Sequence, residues 1–517
     1  MRRVIIPLHP LARLTISFLA GLLSILAYAP FGLWPLQIAS VAVLIALVMR
    51  APSIKLTFFL GWSYGTGWIL GGIYWLYISM HHFGGMPGWL AALAVLLLSM
   101  FLGAHTALAM AGASWLSRSR HMPPAVSLLL VFPAAWAVME WVRSWIFTGF
   151  PWVSTGYAHV DSPLGGFAPV VGVYGVGLVA AVVAGTIVLL ETRRWAVAVG
   201  AAVFAIGFGL QSVAWTQASG QPISVRLLQG NVAQDLKFDA DQAGVTLKLY
   251  QDMIRATPAD LIATPETALP LMAHQLPAGY IESLMDHARQ SKSHLMIGVP
   301  ISDGPRQYAN SMIGLSPDID AKLYRYDKHH LVPFGEFIPL GFRWFVDTMN
   351  IPLGDFTRGA YVQPPFAVKD QWVLPNVCYE DLFGEEIADQ IRANATRAME
   401  PTIMLNTSNI AWFGDSLALP QHLQSSQMRA LEMRRPMLRA TNTGATAVID
   451  GRGRIVAQLA PFSFGTLAAS VQGYKGSTPF ILFGNALVIG LALAMLSTAW
   501  LLHRKTHRIS PQPFETR

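Results

Sequence analysis

Trp372-Val373-Leu374-Pro375-Asn376-Val377-Cys378-Tyr379-Glu380-Asp381 reads as a short apolar strand that ends on a thiol and then turns polar. Cys378 is the only cysteine among 517 residues, so no internal disulfide can use it. In an oxidising compartment a lone thiol risks intermolecular pairing. A free cysteine is ordinarily a small buried apolar residue, but Tyr-Glu-Asp is not the setting of an inert core thiol. A nucleophile at a strand end is therefore the leading expectation.

Further strands are expected around this one, at 224–229, 261–264, 294–299, 312–315, 323–326, 402–406, 438–441, 447–449 and 454–458. Amphipathic stretches at 242–256, 278–291 and 421–435 lie between some of them, the last closing on Arg434-Arg435 before Pro436. This alternation predicts an α/β sandwich. No internal repeat, phosphate loop or metal-spaced His/Cys cluster occurs, and His329-His330 alone is too little to propose zinc. Two other strand ends carry chemistry: Glu266 in Thr264-Pro265-Glu266-Thr267, and Lys328 in Tyr326-Asp327-Lys328-His329-His330. Such ends on a common sheet edge are where sites assemble. A thiol needs a base or a nearby cation to act as thiolate, and a carboxylate with an ammonium supplies both, the ammonium also serving a developing oxyanion.

The section from about 216 to 475 has the charge of an ordinary soluble domain, while the rest is nearly free of charge. Over the whole chain 53% of residues are hydrophobic and 13% charged, and mean hydropathy is +0.43. These values describe an integral membrane protein. Apolar runs at 11–29, 33–49, 56–79, 89–116, 124–146, 166–190, 195–215 and 478–502 predict about eight transmembrane helices. The expected organisation is a bundle over 1–215, an α/β domain over 216–475, a final span over 476–502 and a tail over 503–517. Arg2, Arg3, Arg50, Lys55, Arg118, Arg120, Arg193, Arg194, Arg504, Lys505 and Arg508 all fall on one side if both termini are cytoplasmic. The α/β domain then faces the periplasm or exterior. The pI of about 9.5 partly reflects those loops and does not point to nucleic-acid binding. Within the fifth span, Glu140 and Arg143 share a helical face. Exposing either to lipid would cost on the order of 3 kcal/mol, so both are expected to face protein or water, either fixing helix packing or meeting lipid headgroups.

Together the motifs resemble the nitrilase superfamily, whose Glu-Lys-Cys triad runs in this order. The multi-span bundle, with Leu228-Gln229-Gly230-Asn231, Thr264-Pro265-Glu266-Thr267, Val332-Pro333-Phe334-Gly335-Glu336, Cys378-Tyr379-Glu380-Asp381 and Gly149-Phe150-Pro151-Trp152, looks like the membrane-embedded branch, the bacterial apolipoprotein N-acyltransferases. The resemblance covers nearly the whole chain. It implies a periplasmic α-β-β-α sandwich beside the transmembrane bundle, in the bacterial inner membrane. Glu266 would be general base, Lys328 oxyanion stabiliser and Cys378 nucleophile. Glu336 would orient Lys328, and Tyr379 and Glu380 would shape the surroundings of the thiol. No cofactor or metal is implied.

The implied reaction passes an acyl chain from a phospholipid, phosphatidylethanolamine being the expected donor, through a Cys378 thioester to a diacylated apolipoprotein. Expected lipid contacts are Trp152, Phe238, Phe342, Trp344, Trp412 and Phe413. Phe238 stands where the family is associated with Trp, and the loops at 342–345 and 411–415 could equally be domain packing. Two other classes keep part of the pattern: a membrane-tethered amidase that passes the acyl group to water, and a transporter or receptor with a degenerate outer domain, in which Cys378 would be dispensable.

Overall fold

The computed structural model describes residues 9–119, 122–237, 239–304, 307–346 and 355–508; Phe238 lies outside the described residues. Two compact units emerge. Among the described residues, one comprises 9–74, 93–212 and 485–508, the other Trp75–Ala92 and the described part of 213–484.

The first unit is helical. Pro10–Ala27, Gly88–Arg118, Pro124–Arg143 and Pro163–Leu189 are long and apolar enough to cross a bilayer. Pro35–Met49, Ala196–Gln211 and Ala486–Leu502 are apolar but shorter, and Ile54–Ile73 adds 20 residues. Together they account for the expected set of about eight, and the unit is a membrane-embedded bundle. Small residues let its backbones approach: a Cβ on Gly21 would run into the Tyr64 carbonyl, and one on Gly67 into that of Phe18.

Glu140 and Arg143 are both buried and answered by protein. Glu140 accepts from the Thr155 N–H at 2.8 Å and from Trp136 Nε1 at 3.0 Å. Arg143 donates to the carbonyls of Phe150 at 2.9 Å and Trp152 at 2.8 Å. The pair therefore ties its helix to the 150–155 loop, and of the two readings the geometry supports helix packing.

Two apolar runs end differently from their expected spans. The run at 56–79 leaves its helix at Ile73, and Trp75–Ala92 packs with the α/β unit. The run at 478–502 breaks at Gly484, whose φ of 54° interrupts it. Its first part, Pro479–Phe483, seats Phe480 and Ile481 in the α/β unit's core, and the long helix begins at Ala486.

The α/β unit contains twelve principal strands: β1 Ile223–Gln229, β2 Leu261–Ala263, β3 His294–Gly304, β4 Gln307–Leu315, β5 Tyr324–Asp327, β6 Phe366–Val368, β7 Gln371–Val377, β8 Ile403–Ser408, β9 Met437–Thr441, β10 Ala447–Ile449, β11 Ile455–Gln458 and β12 Gly465–Val471. They form two six-stranded sheets, ordered β12-β1-β2-β3-β4-β5 and β11-β10-β9-β8-β7-β6. In each sheet three consecutive strands are parallel, β1 to β3 and β7 to β9, and antiparallel strands complete the edges. The longer helices are α1 Ala240–Arg255, α2 Tyr280–Ser291, α3 Gly384–Ala395 and α4 Ala418–Met433.

Side-chain alternation fixes the layers. Val373 and Val377 of β7, with Ile403 and Leu405 of β8, meet Val225, Leu227 and Met296 of the other sheet in the central core. The intervening Leu374 and Met404 point the other way, onto Ile387 and Ile391 of α3 and Leu423 of α4. Leu228, Ile262 and Leu295 likewise pack on Leu247 and Ile254 of α1 and Leu284 of α2. The result is the expected α-β-β-α sandwich.

Candidate active site

Glu266 follows β2, Lys328 follows β5 and Cys378 follows β7, so strand ends from both sheets deliver the three groups. Lys328 Nζ lies 3.3 Å from Glu266 Oε1 and 2.9 Å from Glu336 Oε1, with the ammonium almost wholly buried. Asn310, on β4, bridges the carboxylates: its Nδ2 donates to Glu266 Oε1 at 2.7 Å and to Glu336 Oε1 at 2.9 Å. Glu266 Oε2 accepts the Asn409 backbone N–H at 2.8 Å. Glu336 Oε2 accepts that of Val332 at 2.8 Å, within the tight turn that the Pro333–Gly335 sequence allows.

Electrostatics favour the proton on the Cys378 thiol over Glu266. Burial pushes Glu266 up, but Lys328, Lys237, Asn310 and the Asn409 N–H outweigh it and hold the carboxyl below its ordinary value. Burial pushes the Cys378 thiol up, Glu266 adds to this and Lys328 opposes it, leaving the thiol at about 12. Burial disfavours a charged Lys328, yet Glu266, Glu336 and Cys378 overcome that and keep the ammonium protonated. At neutral pH the site therefore holds a thiol, a carboxylate ready to receive its proton and a fixed cation.

The backbone turn that presents Cys378 is strained. Its φ of 52° is left-handed, costing on the order of 1–3 kcal/mol for a non-glycine residue. Surrounding groups hold it there. Glu380 accepts the Val377 N–H at 2.6 Å, the His329 N–H at 2.6 Å, the His330 N–H at 3.1 Å and the Tyr326 hydroxyl at 2.9 Å. Its carboxylate thus ties the end of β7 to the chain after β5. Burial raises Glu380 above the ordinary carboxylate value despite these donors. On the other side, Asn406 Nδ2 donates to the Cys378 carbonyl at 3.2 Å and His422 Nε2 at 3.1 Å. Arg439 Nη2 donates to His422 Nδ1 at 3.0 Å, which fixes the tautomer with hydrogen on Nε2.

Glu266, Lys328, Cys378, Glu336 and Glu380 come together here. Tyr379 packs beside them, its ring centroid 5.7 Å from that of His330 and 5.2 Å from that of Phe383. Trp152 is instead buried in the helical unit. Trp412 and Phe413 are half-buried against aromatics of the Trp75–Ala92 segment, Phe413 at 4.4 Å from Trp75 and Trp412 at 5.9 Å from Phe83. Phe342 and Trp344 are 45% and 67% exposed. Sequence reasoning missed Asn310, Asn409, His422 and Lys237, whose Nζ donates to the Glu266 carbonyl at 3.1 Å. Asn310 sits inside an ordinary strand with no local signal. Lys237 was visible only as a neighbour of Phe238.

Residues 20–186 match the family model described as the apolipoprotein N-acyltransferase N-terminal domain, and residues 224–479 match the carbon-nitrogen hydrolase model. An apolipoprotein N-acyltransferase of Ralstonia nicotianae is 50% identical over 504 residues, covering 96% of this chain and 95% of its own. One from Nitrosomonas europaea is 42% identical, covering 93% and 95%. A crystal structure of a CN-hydrolase superfamily protein from Xanthomonas campestris covers 54% of this chain and 97% of its own at 17% identity, with a TM-score of 0.39, too loose a likeness to carry an argument. On relatives aligned along almost their whole length, with both models matched in order, the chain belongs to the apolipoprotein N-acyltransferase family.

Proposed function

We propose that this protein moves a fatty acyl chain from a phospholipid, through a thioester on Cys378, to the α-amino group of the N-terminal diacylglyceryl-cysteine of apolipoproteins. The observation that carries the reading is a Cys378 thiol on a strained turn at the cluster in which Lys328 Nζ lies 3.3 Å from Glu266 Oε1 and 2.9 Å from Glu336 Oε1. Glu266 takes the thiol proton as sulfur attacks the ester carbonyl, and Lys328 meets the oxyanion. Collapse of that intermediate breaks the C–O bond. Glu266 returns the proton to the departing lysophospholipid alkoxide, and the acyl group stays on sulfur. In the second half the neutral amine attacks the thioester, Glu266 takes a proton from the new ammonium, and the expelled thiolate recovers it.

Phosphatidylethanolamine is the proposed donor. Both substrates are held in a bilayer by chains worth about 0.8 kcal/mol per buried methylene, which accounts for a membrane-embedded bundle in the same chain. The basic loops support an inner-membrane orientation with cytoplasmic termini and the α/β unit in the periplasm.

Mass spectrometry of the purified protein after exposure to phosphatidylethanolamine tests this. One hydroxylamine-labile acyl group is expected on Cys378, persisting alone and discharging when a diacylated N-terminal peptide is added. An acetylated peptide should fail, its amine lone pair being lost to the amide. Free fatty acid released at the same rate with or without peptide would replace the transferase by a hydrolase. No acyl species under any condition would remove both.

A further inference from the structure

Lys328 Nζ lies between two buried carboxylates, 3.3 Å from Glu266 Oε1 and 2.9 Å from Glu336 Oε1. One ammonium between two such groups leaves a negative charge uncompensated, which disfavours a Cys378 thiolate beside them. A second cation is present. Lys237, in the turn between β1 and α1, is 3% exposed, and its Nζ donates to the Glu266 carbonyl at 3.1 Å. The same turn is fastened to the site again, because Asn409, whose N–H binds Glu266 Oε2, donates from Nδ2 to Gln234 Oε1 at 2.8 Å.

We propose that Lys237 is a positioning residue for the reaction, its buried ammonium holding Glu266 as a carboxylate and stabilising the charge as it passes from Glu266 to Cys378. The inference rests on Cys378 and Glu266 being nucleophile and base. Lys237 faces both ends of that transfer: Glu266 and Cys378 each act on it, opposing the burial that brings it down to about 8. The other charged groups acting on the pair are Lys328 on both residues, with Glu336 and Arg439 on Cys378. The oxyanion belongs to Lys328. Lys237 acts through Glu266.

Removing the charge separates this role from simple pinning of the loop. Lys237→Gln keeps an N–H donor for the Glu266 carbonyl but not the ammonium, and Lys237→Arg keeps both. The readout is the rate of Cys378 alkylation by iodoacetamide against pH in the full-length detergent-solubilised protein, with a thermal melt of each variant. In Lys237→Gln the acid-side midpoint should move up by about one unit, making alkylation about tenfold slower on the rising limb. Lys237→Arg should restore the midpoint. An unmoved midpoint in a folded Lys237→Gln would overturn the inference and leave Lys237 as a pin, while the nucleophile reading stood. If Lys237→Gln does not fold, the neutral Lys237→Met takes its place: a raised midpoint supports the charge role, and a lowered plateau with an unmoved midpoint overturns it. Wild-type Cys378 that never alkylates would remove the nucleophile and this inference together.

Discussion

Single residues divide the chemistry. Cys378→Ala and Cys378→Ser should each lower acyl-thioester formation by about a thousandfold or more while leaving a folded protein, because in the proposed mechanism the thiol is the attacking group. Lys328→Ala should lose about a hundred- to a thousandfold, the range for an oxyanion donor. Lys328→Arg should not recover it, since a planar guanidinium does not reproduce a compact ammonium. Acyl-enzyme mass spectrometry reads both, and full acylation of Cys378 in Lys328→Ala would refute the role. The depressed Glu266 has a pH consequence with a definite sign. A carboxylate held below its unfolded value of about 4.3 remains a base across neutral and mildly acid pH. Acylation should therefore stay flat as pH falls to about 5 and collapse only as Glu266 is protonated below that. The stability this carboxylate contributes is fully present above its unfolded pKa and is lost through its folded one. A rate that already halves near pH 6.5 would assign the controlling group elsewhere.

At the level of elements, the site depends on strand ends being locked to one another. Glu380 joins the end of β7 to the chain after β5 through three backbone N–H groups and the Tyr326 hydroxyl. Glu380→Ala should cost about 3 kcal/mol or more by leaving buried donors unpaired. Tyr326→Phe removes one bond and should cost about 1 kcal/mol. Thermal melts in detergent compare the two, and equal melting points would show the lock to be dispensable. The major parallel strands were legible because each is an apolar run bounded by turn residues. β6, at three residues, is too short for periodicity to show. β12 alternates buried and exposed positions only weakly and is placed by pairing with β1. α3 follows the Cys378 turn so closely that its amphipathic face was masked by the motif.

The whole molecule joins a membrane-embedded unit to an α/β sandwich, and lipid substrates should reach the latter past apolar loops. Phe342→Asn and Trp344→Ser, at exposed aromatic positions, should slow acylation from phospholipid about tenfold or more, each removing some 1–3 kcal/mol of apolar contact, and barely affect a small soluble ester. Equal losses with both donors would make these side chains packing residues. Composition and basic loops by themselves determined that the chain is a membrane protein with one polar domain, because burying charge in lipid is too costly to occur at random. Strand-end motifs likewise identified Glu266, Lys328 and Cys378 as candidates, and the family resemblance added Glu336. Only the tertiary structure decided that Asn310 bridges the two carboxylates, that His422 and Glu380 hold Cys378 in a left-handed turn, and that Trp75–Ala92 covers Trp412 and Phe413. These contacts join residues from distant segments. Hydropathy and spacing record what each segment can bury, and only the folded chain determines which polar group answers which.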